Sequence, residues 1–230
     1  MSTATSPSSP SSPRPSLSLR ERKKLLTRQR LVTTALELFT EHGFDGATLH
    51  DLCEAVEVSE RTFFRNFTSK EDVALAPGRD LWTACLGELE TRSPGDSTLL
   101  GFLQDGLLAA LDRTGDDGWA RQLLLSQRLA ERTPSMDAQA RHFCDRTTRS
   151  AMAILHRRLA LPAPDDLGAR LALDMLVASF NQALGDWGAQ PGTPGADDLA
   201  RRVRAAFAVL PGLAGIAYGP RPAPVADGPA

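Results

Sequence analysis

This chain of 230 residues predicts an all-α protein, on three observations. Apolar residues recur at three- and four-residue spacing through most of its length. Capping residues and Gly/Pro breaks divide that pattern into helix-sized pieces. No stretch alternates apolar and polar residues as a half-buried strand does. Apolar residues make up 42% and charged residues 23%, an ordinary balance for a soluble globular protein. No apolar run reaches the ~18 residues of a membrane span. The opening MSTATSPSSPSSPRPSLSL has no apolar h-region, so a secretory leader is not expected. Cys53, Cys85 and Cys144 are far apart and odd in number, which indicates neither a zinc site nor a disulfide frame. A reducing cytoplasm is the expected compartment.

Taken in order, residues 1–19 are Ser- and Pro-rich with little to bury, and are expected to be disordered. From Arg20 to His42, Leu31, Ala35, Leu38, Phe39 and His42 share one helical face, and Gly43 follows as a C-cap. Thr48 can cap a short helix, with Asp51 completing a capping box. Leu49, Leu52, Cys53 and Val56 form its apolar stripe. Two residues later Ser59 can cap another helix, expected to run to Phe67. Ser69 can cap a fourth, with Glu71 and Asp72 in its first turn, where acids suit the helix dipole. Further helices are expected near 69–91, 97–113, 117–131, 135–160, 165–188 and 196–209. Breaks fall at SPGD, RTGDDG, RTPS, LPAP and QPGTPG. Residues 211–230 are Pro- and Gly-rich and read as a loose tail. The expected division is a tail over 1–19, a helix-turn-helix domain over 20–68, a helical ligand-binding and dimerisation domain over 69–210, and a tail over 211–230.

Charge is uneven along the chain. The net charge of -2 alone argues against nucleic acid, but RERKKLLTRQR at 20–30 carries six basic residues and one acid. The stretch VSERTFFRNFTSKEDV, 58–73, mixes rings and charges in a way that suits neither a core nor an ordinary surface. On a helix, Phe63 and Phe67 share a face and can pack on Leu49, Leu52, Val56, Leu38 and Phe39. Arg61, Thr62, Phe64 and Arg65 lie around the other sides. Arg reaches guanine edges in bidentate fashion, and an exposed Phe can touch thymine methyls. Two short helices joined by a tight turn at Glu57–Val58 have helix-turn-helix spacing. By spacing alone a plain helical hairpin is an equal alternative; the basic run and Phe64 favour DNA.

ALELFTEHGFDGATLHDLCEAVEVSERTFFRNFTSKEDV resembles the DNA-binding domain of the tetracycline-repressor (TetR) family of bacterial transcription regulators. The resemblance spans residues 20–75. It rests on the A-x-x-L-F-x-x-x-G-(F/Y)-x-x-(A/T)-(T/S) segment, the V-S-x-x-T-(F/L)-(F/Y)-x-x-F recognition helix, and the trailing K-E-(D/E). It implies that Thr48, Arg61, Thr62, Phe64, Arg65, Asn66 and Lys70 face DNA. Thr48 and Lys70 would meet phosphates, and 20–30 would lie near the backbone as an approach surface. Two positions depart from the family. Glu57 stands where a small residue, often Gly, is usual, at a cost of about 1 kcal/mol if the turn is left-handed. Asn66 stands where Tyr or His often contacts a phosphate.

The resemblance further implies a homodimer, a palindromic double-stranded operator, a small-molecule effector and a repressor released by it, cytoplasmic and on the nucleoid when DNA-bound. Helices 165–188 and 196–209 would pair across the dimer, through Leu167, Leu171, Met175, Ala178, Gln182 and Gly185 on the first and Leu199, Val203, Ala206 and Leu210 on the second. The alternative is that these stripes close the monomer's own core. Trp82, Phe102, Leu103, Leu107, Trp119, Leu124, Phe143, Phe180 and Trp187 are pocket candidates, although any one such residue is more often plain core. An apolar or amphipathic ligand is expected, and the body loosely resembles those that bind acyl-CoA-like ligands. His42, His50, His142 and His156 are isolated, so no metal is expected, and no cofactor. GxSxG, HExxH, P-loop and dinucleotide signatures are absent, so an enzyme is not favoured; a purely structural helical scaffold is the third possibility.

Overall fold

The computed structural model describes residues 18–161 and 166–215. Among them the regular elements are all helical. They are α1 Leu19–His42, α2 Leu49–Val56, α3 Glu60–Phe64, α4 Lys70–Ala74, α5 Ala76–Thr91, α6 Leu99–Thr114, α7 Asp117–Ala130, α8 Pro134–Arg158, α9 Leu167–Gly188 and α10 Ala196–Val209, then a short 3-10 helix Leu210–Gly215. The all-α expectation therefore holds. Residues 1–17 and 216–230 of the two expected tails lie outside the described residues, whereas Ser18 caps α1, Leu19 begins it, and 211–215 fall in the 3-10 helix. Ser18 and Glu21 form a reciprocal capping box that starts that helix.

α1 is apolar on a wider face than its spacing suggested. Leu31, Val32, Ala35, Leu36 and Phe39 are buried, while Leu38 is half-buried and His42 exposed. The reason is that α1 packs on more than one neighbour, with α4 also against it. One side meets α2, and the other meets α7, where Gln122 Nε2 donates to Thr33 Oγ1 at 2.9 Å. The turn after α1 depends on glycine twice. Gly43 has φ +80°, and a Cβ on Gly46 would stand 2.1 Å from the His42 carbonyl oxygen. Phe44 then folds back edge-on to Phe39, ring centroids 5.1 Å apart.

The turn between α2 and α3 is a Schellman motif. Glu57 N–H donates to the Glu54 carbonyl and Val58 N–H to the Cys53 carbonyl, with Glu57 left-handed at φ 57°. The departure from Gly therefore falls on a position whose geometry favours Gly. The helix expected over 69–91 is two helices. Leu75, at φ -88° and ψ 0°, ends α4, and Pro77 sits in the first turn of α5. Proline has no N–H to give a preceding carbonyl, so the chain restarts its helix there.

Two apolar cores result. One joins α1–α3 to Val73, Ala74, Ala76 and to Met136 at the start of α8. The other fills the space among α5–α10, from Leu81, Cys85 and Leu89 through Leu103 and Leu107 to Phe180, Trp187 and Phe207. Met136 is fully buried in the first core although α8 belongs mainly to the second, so the two are pinned together.

Candidate functional site

α3 is short, and its two sides are sharply different. Ser59 Oγ caps it by accepting from Thr62 N–H at 3.2 Å. Phe63 and Phe67 are buried at 0% and 3% exposure, whereas Phe64 stands 55% exposed between two arginines. Phe64's edge rests on Phe63, centroids 5.4 Å apart, which limits its freedom at little cost in contact area. Arg61 and Arg65 are exposed and Thr62 is half-buried. A ring held out in water between two cations is costly for a free-standing surface, and it is what a groove-reading helix requires.

The other DNA-facing candidates divide. Thr48 is exposed at the start of α2, its Oγ1 accepting from Asp51 N–H at 3.1 Å while its own N–H donates to Asp51 Oδ2 at 2.7 Å. The Thr48 N–H first, and then the Thr48 side chain, hold the Asp51 carboxyl below the usual carboxylate range. The N–H of Thr48 is therefore already committed to Asp51. Asn66 does not present its amide outward. Its Nδ2 donates to the Thr62 carbonyl at 2.8 Å, closing the end of α3, and its buried Oδ1 has no partner.

Lys70 corrects the expectation most sharply. Its ammonium donates to the carbonyls of Phe44 and Ala47, both at 2.5 Å, and lies 4.6 Å and 5.2 Å from the ring centroids of Phe44 and Phe39. The glycine-turned loop 43–47 thus wraps a cation, and Lys70 pins that loop instead of reaching for a phosphate. Arg65 instead shares a groove with the basic end of α1. Arg20, Lys23, Lys24 and Thr27 line one side, and Thr62, Arg65 and Asn66 the other.

A second site lies in the body. A cavity of about 350 Å³ opens among α5, α8 and α9. Its α5 wall carries Arg79, Trp82, Leu86 and Leu89, spaced by three and four residues on one helical face, with Leu75 just before the helix. Phe143, Cys144, Thr148 and Ala151 come from α8, and Leu173, Leu176 and Asn181 from α9. Of the expected pocket residues, only Trp82 and Phe143 line it. Phe180 stands behind Trp82, edge-on at 5.3 Å. Phe102, Leu103, Leu107 and Leu124 are plain core. Trp119 donates its indole N–H to the Pro77 carbonyl at 3.1 Å and holds the start of α5; Trp187 donates to the Gly195 carbonyl at 3.0 Å and holds the α9–α10 turn. Cys85 on the same wall is a buried thiol pushed up to about 12 by desolvation and then by Glu88, and stays protonated at neutral pH.

The sequence reading missed the residues that join the two sites. Arg79, on the cavity, forms an ion pair with Asp72 Oδ1 and lies over the Phe143 ring at 5.1 Å. Asp72 is 6% exposed, and its Oδ2 accepts from both the N–H and the hydroxyl of Thr68 at 2.8 Å. Thr68 follows Phe67 directly. In parallel, Arg28 of α1 binds Asp80 through two bonds of 2.7 and 2.8 Å and lies over the Phe67 ring at 5.1 Å. The segment leaving α3 is therefore gripped from α5 by two arginine–aspartate pairs. An arginine inside an apolar stripe at 75, 79, 82 and 86 was the available signal.

Comparison with known proteins decides the family. Residues 31–76 match the model of bacterial regulatory proteins of the tetR family. The HTH-type transcriptional regulator TcmR of Streptomyces glaucescens is 34% identical over 179 residues, 74% of this chain and 76% of that protein. This chain belongs to the TetR family. The repressor AcnR of Corynebacterium glutamicum is 33% identical over 79 residues, 34% of this chain and 42% of AcnR. The fatty acid degradation regulator FadR from Bacillus halodurans shares the fold, with a TM-score of 0.52 at 16% identity, covering 81% of this chain and 95% of that one. As a TetR-family member this chain is a transcriptional regulator with a DNA-binding helix-turn-helix, not an enzyme. No described helix is long and apolar enough to cross a membrane.

Proposed function

We propose that this TetR-family regulator is a dimeric repressor, released from a near-palindromic operator by a small apolar or amphipathic effector bound among α5, α8 and α9. The observation that carries the reading is the chain of contacts from that cavity to the recognition helix, Arg79 to Asp72 to Thr68. α3 enters the major groove with Arg61 and Phe64 toward base edges. Arg65 turns toward phosphate beside Arg20, Lys23 and Lys24, where the lining groups favour an anion. Thr48 adds a hydroxyl to phosphate on the other flank.

The outward face of α9 supports a dimer. Leu167 and Leu171 are 70% and 50% exposed, and Ala178, Gln182 and Gly185 continue their row outward. The stripe expected on α10 behaves as the alternative reading had it, with Leu199 and Val203 closing the monomer's own core, while Ala205, Ala208 and Val209 face out. Small and apolar residues on both outward faces suit two helices from each subunit packed together.

A two-fold dimer sets its recognition helices about one DNA turn, ~34–36 Å, apart. An effector need only bind better to a conformer with another spacing, by several kcal/mol in all. The test is to titrate apolar and acyl-CoA-type compounds against protein bound to its own promoter DNA while measuring mass in solution. Release of DNA by an intact dimer is the expected result. A monomer that binds DNA at full affinity, or an effector that acts by splitting the dimer, overturns the scheme.

A further inference from the structure

We propose that the effector is an organic anion, and that its acidic group pairs with Arg79 inside the cavity in competition with Asp72. This rests on the effector reading above and adds the ligand's chemistry and its point of action. The walls from Trp82, Leu86, Leu89, Leu173 and Leu176 supply an apolar seat. Arg79 is the exception on its stripe, with its side chain only 26% exposed. A guanidinium this withdrawn from water needs close acids, and they are scarce. Asp72 gives it one oxygen while Thr68 occupies the other. Asp80 is taken by Arg28 through both oxygens. Asp137, on the cavity rim, is paired with Arg141 at 2.5 Å. Burial and then the charges of Arg146 and Arg28 lower the Arg79 pKa, with Asp80 opposing them. The cavity is thus apolar, and the charged groups that line it are Arg79 and Arg141 against the single acid Asp137, which suits a molecule carrying a single carboxylate, sulfonate or enolate on a hydrophobic body.

Arg79 has a limited set of donors, so an anion that takes its guanidinium draws it off Asp72. Asp72 then loses the cation that fixes its carboxylate on Thr68, and the segment behind α3 loosens. The effector acts by exchanging one ion pair for another, without touching the head.

The test uses a matched pair of fluorescent probes on the full-length protein. Anilinonaphthalene sulfonate carries an anion; phenylnaphthylamine has the same rings without it. The wild type should bind the sulfonate at least about tenfold more tightly, the worth of one charge-assisted contact. Because Arg79→Met alone strands the Asp72 carboxylate, the deciding variant is the double change Asp72→Asn with Arg79→Met. It should lose the sulfonate preference and keep its affinity for the neutral probe, with helical circular dichroism unchanged. Asp72→Asn alone should tighten sulfonate binding several-fold, since the internal competitor is gone. Equal affinity for both probes in the wild type, or a double variant that still prefers the anion, overturns the role of Arg79 and leaves the effector cavity standing. If neither probe binds the wild type, both the anion site and the effector reading fail.

Discussion

Phe63, Phe64 and Phe67 have the same chemistry and two different fates, Phe63 and Phe67 buried and Phe64 exposed, set by helical angle. Phe67→Ala removes a buried ring and should destabilise the head by ~3–5 kcal/mol. Phe64→Ala should leave the melting temperature nearly unchanged and weaken DNA binding. Equal thermal losses in both variants would mean that α3 is rotated from the orientation described. These rings were legible in the sequence because one helical turn separates inside from outside. Lys70 was not, because its partners are backbone carbonyls of Phe44 and Ala47, more than twenty positions away and silent in any side-chain pattern. Lys70→Met strands both carbonyls and should cost ~2–3 kcal/mol in a urea melt, the scale of lost charged hydrogen bonds. Loss of DNA affinity at unchanged stability would return Lys70 to the phosphate backbone. Arg61→Ala should cost ~1–3 kcal/mol of operator binding and relax preference at one base position. Arg65→Ala should weaken all sequences alike and reduce the salt slope by about one. An exchange of these two outcomes in gel shifts over a mutated operator set would reverse the assignment.

Element by element, caps and breakers explain why so many helix starts were readable. Ser59, Ser69 and Thr98 each accept from the backbone N–H three residues on, a local interaction that local sequence can encode. The break between α4 and α5 went unread although Pro77 marks it, because proline is also tolerated in a helix's first turn and the apolar spacing runs straight through. That spacing continues because both helices bury residues on one side, Val73 and Ala74 in the head core and Leu81 and Cys85 in the body. The α2–α3 turn offers a direct check on strain. Glu57 holds φ 57° with its side chain exposed, so nothing but backbone preference is altered by substitution. Glu57→Gly relieves a left-handed non-glycine residue but adds freedom to the unfolded chain. The net should be a stabilisation of up to about 1 kcal/mol. A fall in the denaturation midpoint would show that Glu57 contributes a contact that outweighs its strain.

For the molecule as a whole, the sequence distinguished head from body but not wall from core. Phe102, Leu107, Trp119 and Leu124 carry the same apolar signal as Trp82 and Phe143. Which of them borders a void depends on how α5, α8 and α9 diverge, a property of packed helices and not of any one stretch. The Arg79–Asp72 pair crosses the α4–α5 break, so no single-helix pattern contains it. Exposure separates the outward faces of α9 and α10 from the body core in the same way. Leu167, Leu171, Val209 and Leu213 are all more than two-fifths exposed, the lowest being Leu213 at 44%. A Cβ on Gly185 meets nothing within 4 Å, so that stretch of α9 is open to a close backbone approach. Leu171→Lys puts a charge into that row without touching the body core, where Leu173 and Leu176 point. Desolvating an unpaired ammonium between apposed helices is costly enough to separate them. Sedimentation equilibrium should then report half the mass, with helical circular dichroism retained. Each head binds its half-site singly once the subunits part, so operator affinity should fall by about a hundredfold or more as the effective concentration of the second head is lost. A Leu171→Lys protein that stays dimeric and keeps its operator affinity would place the seam on another face.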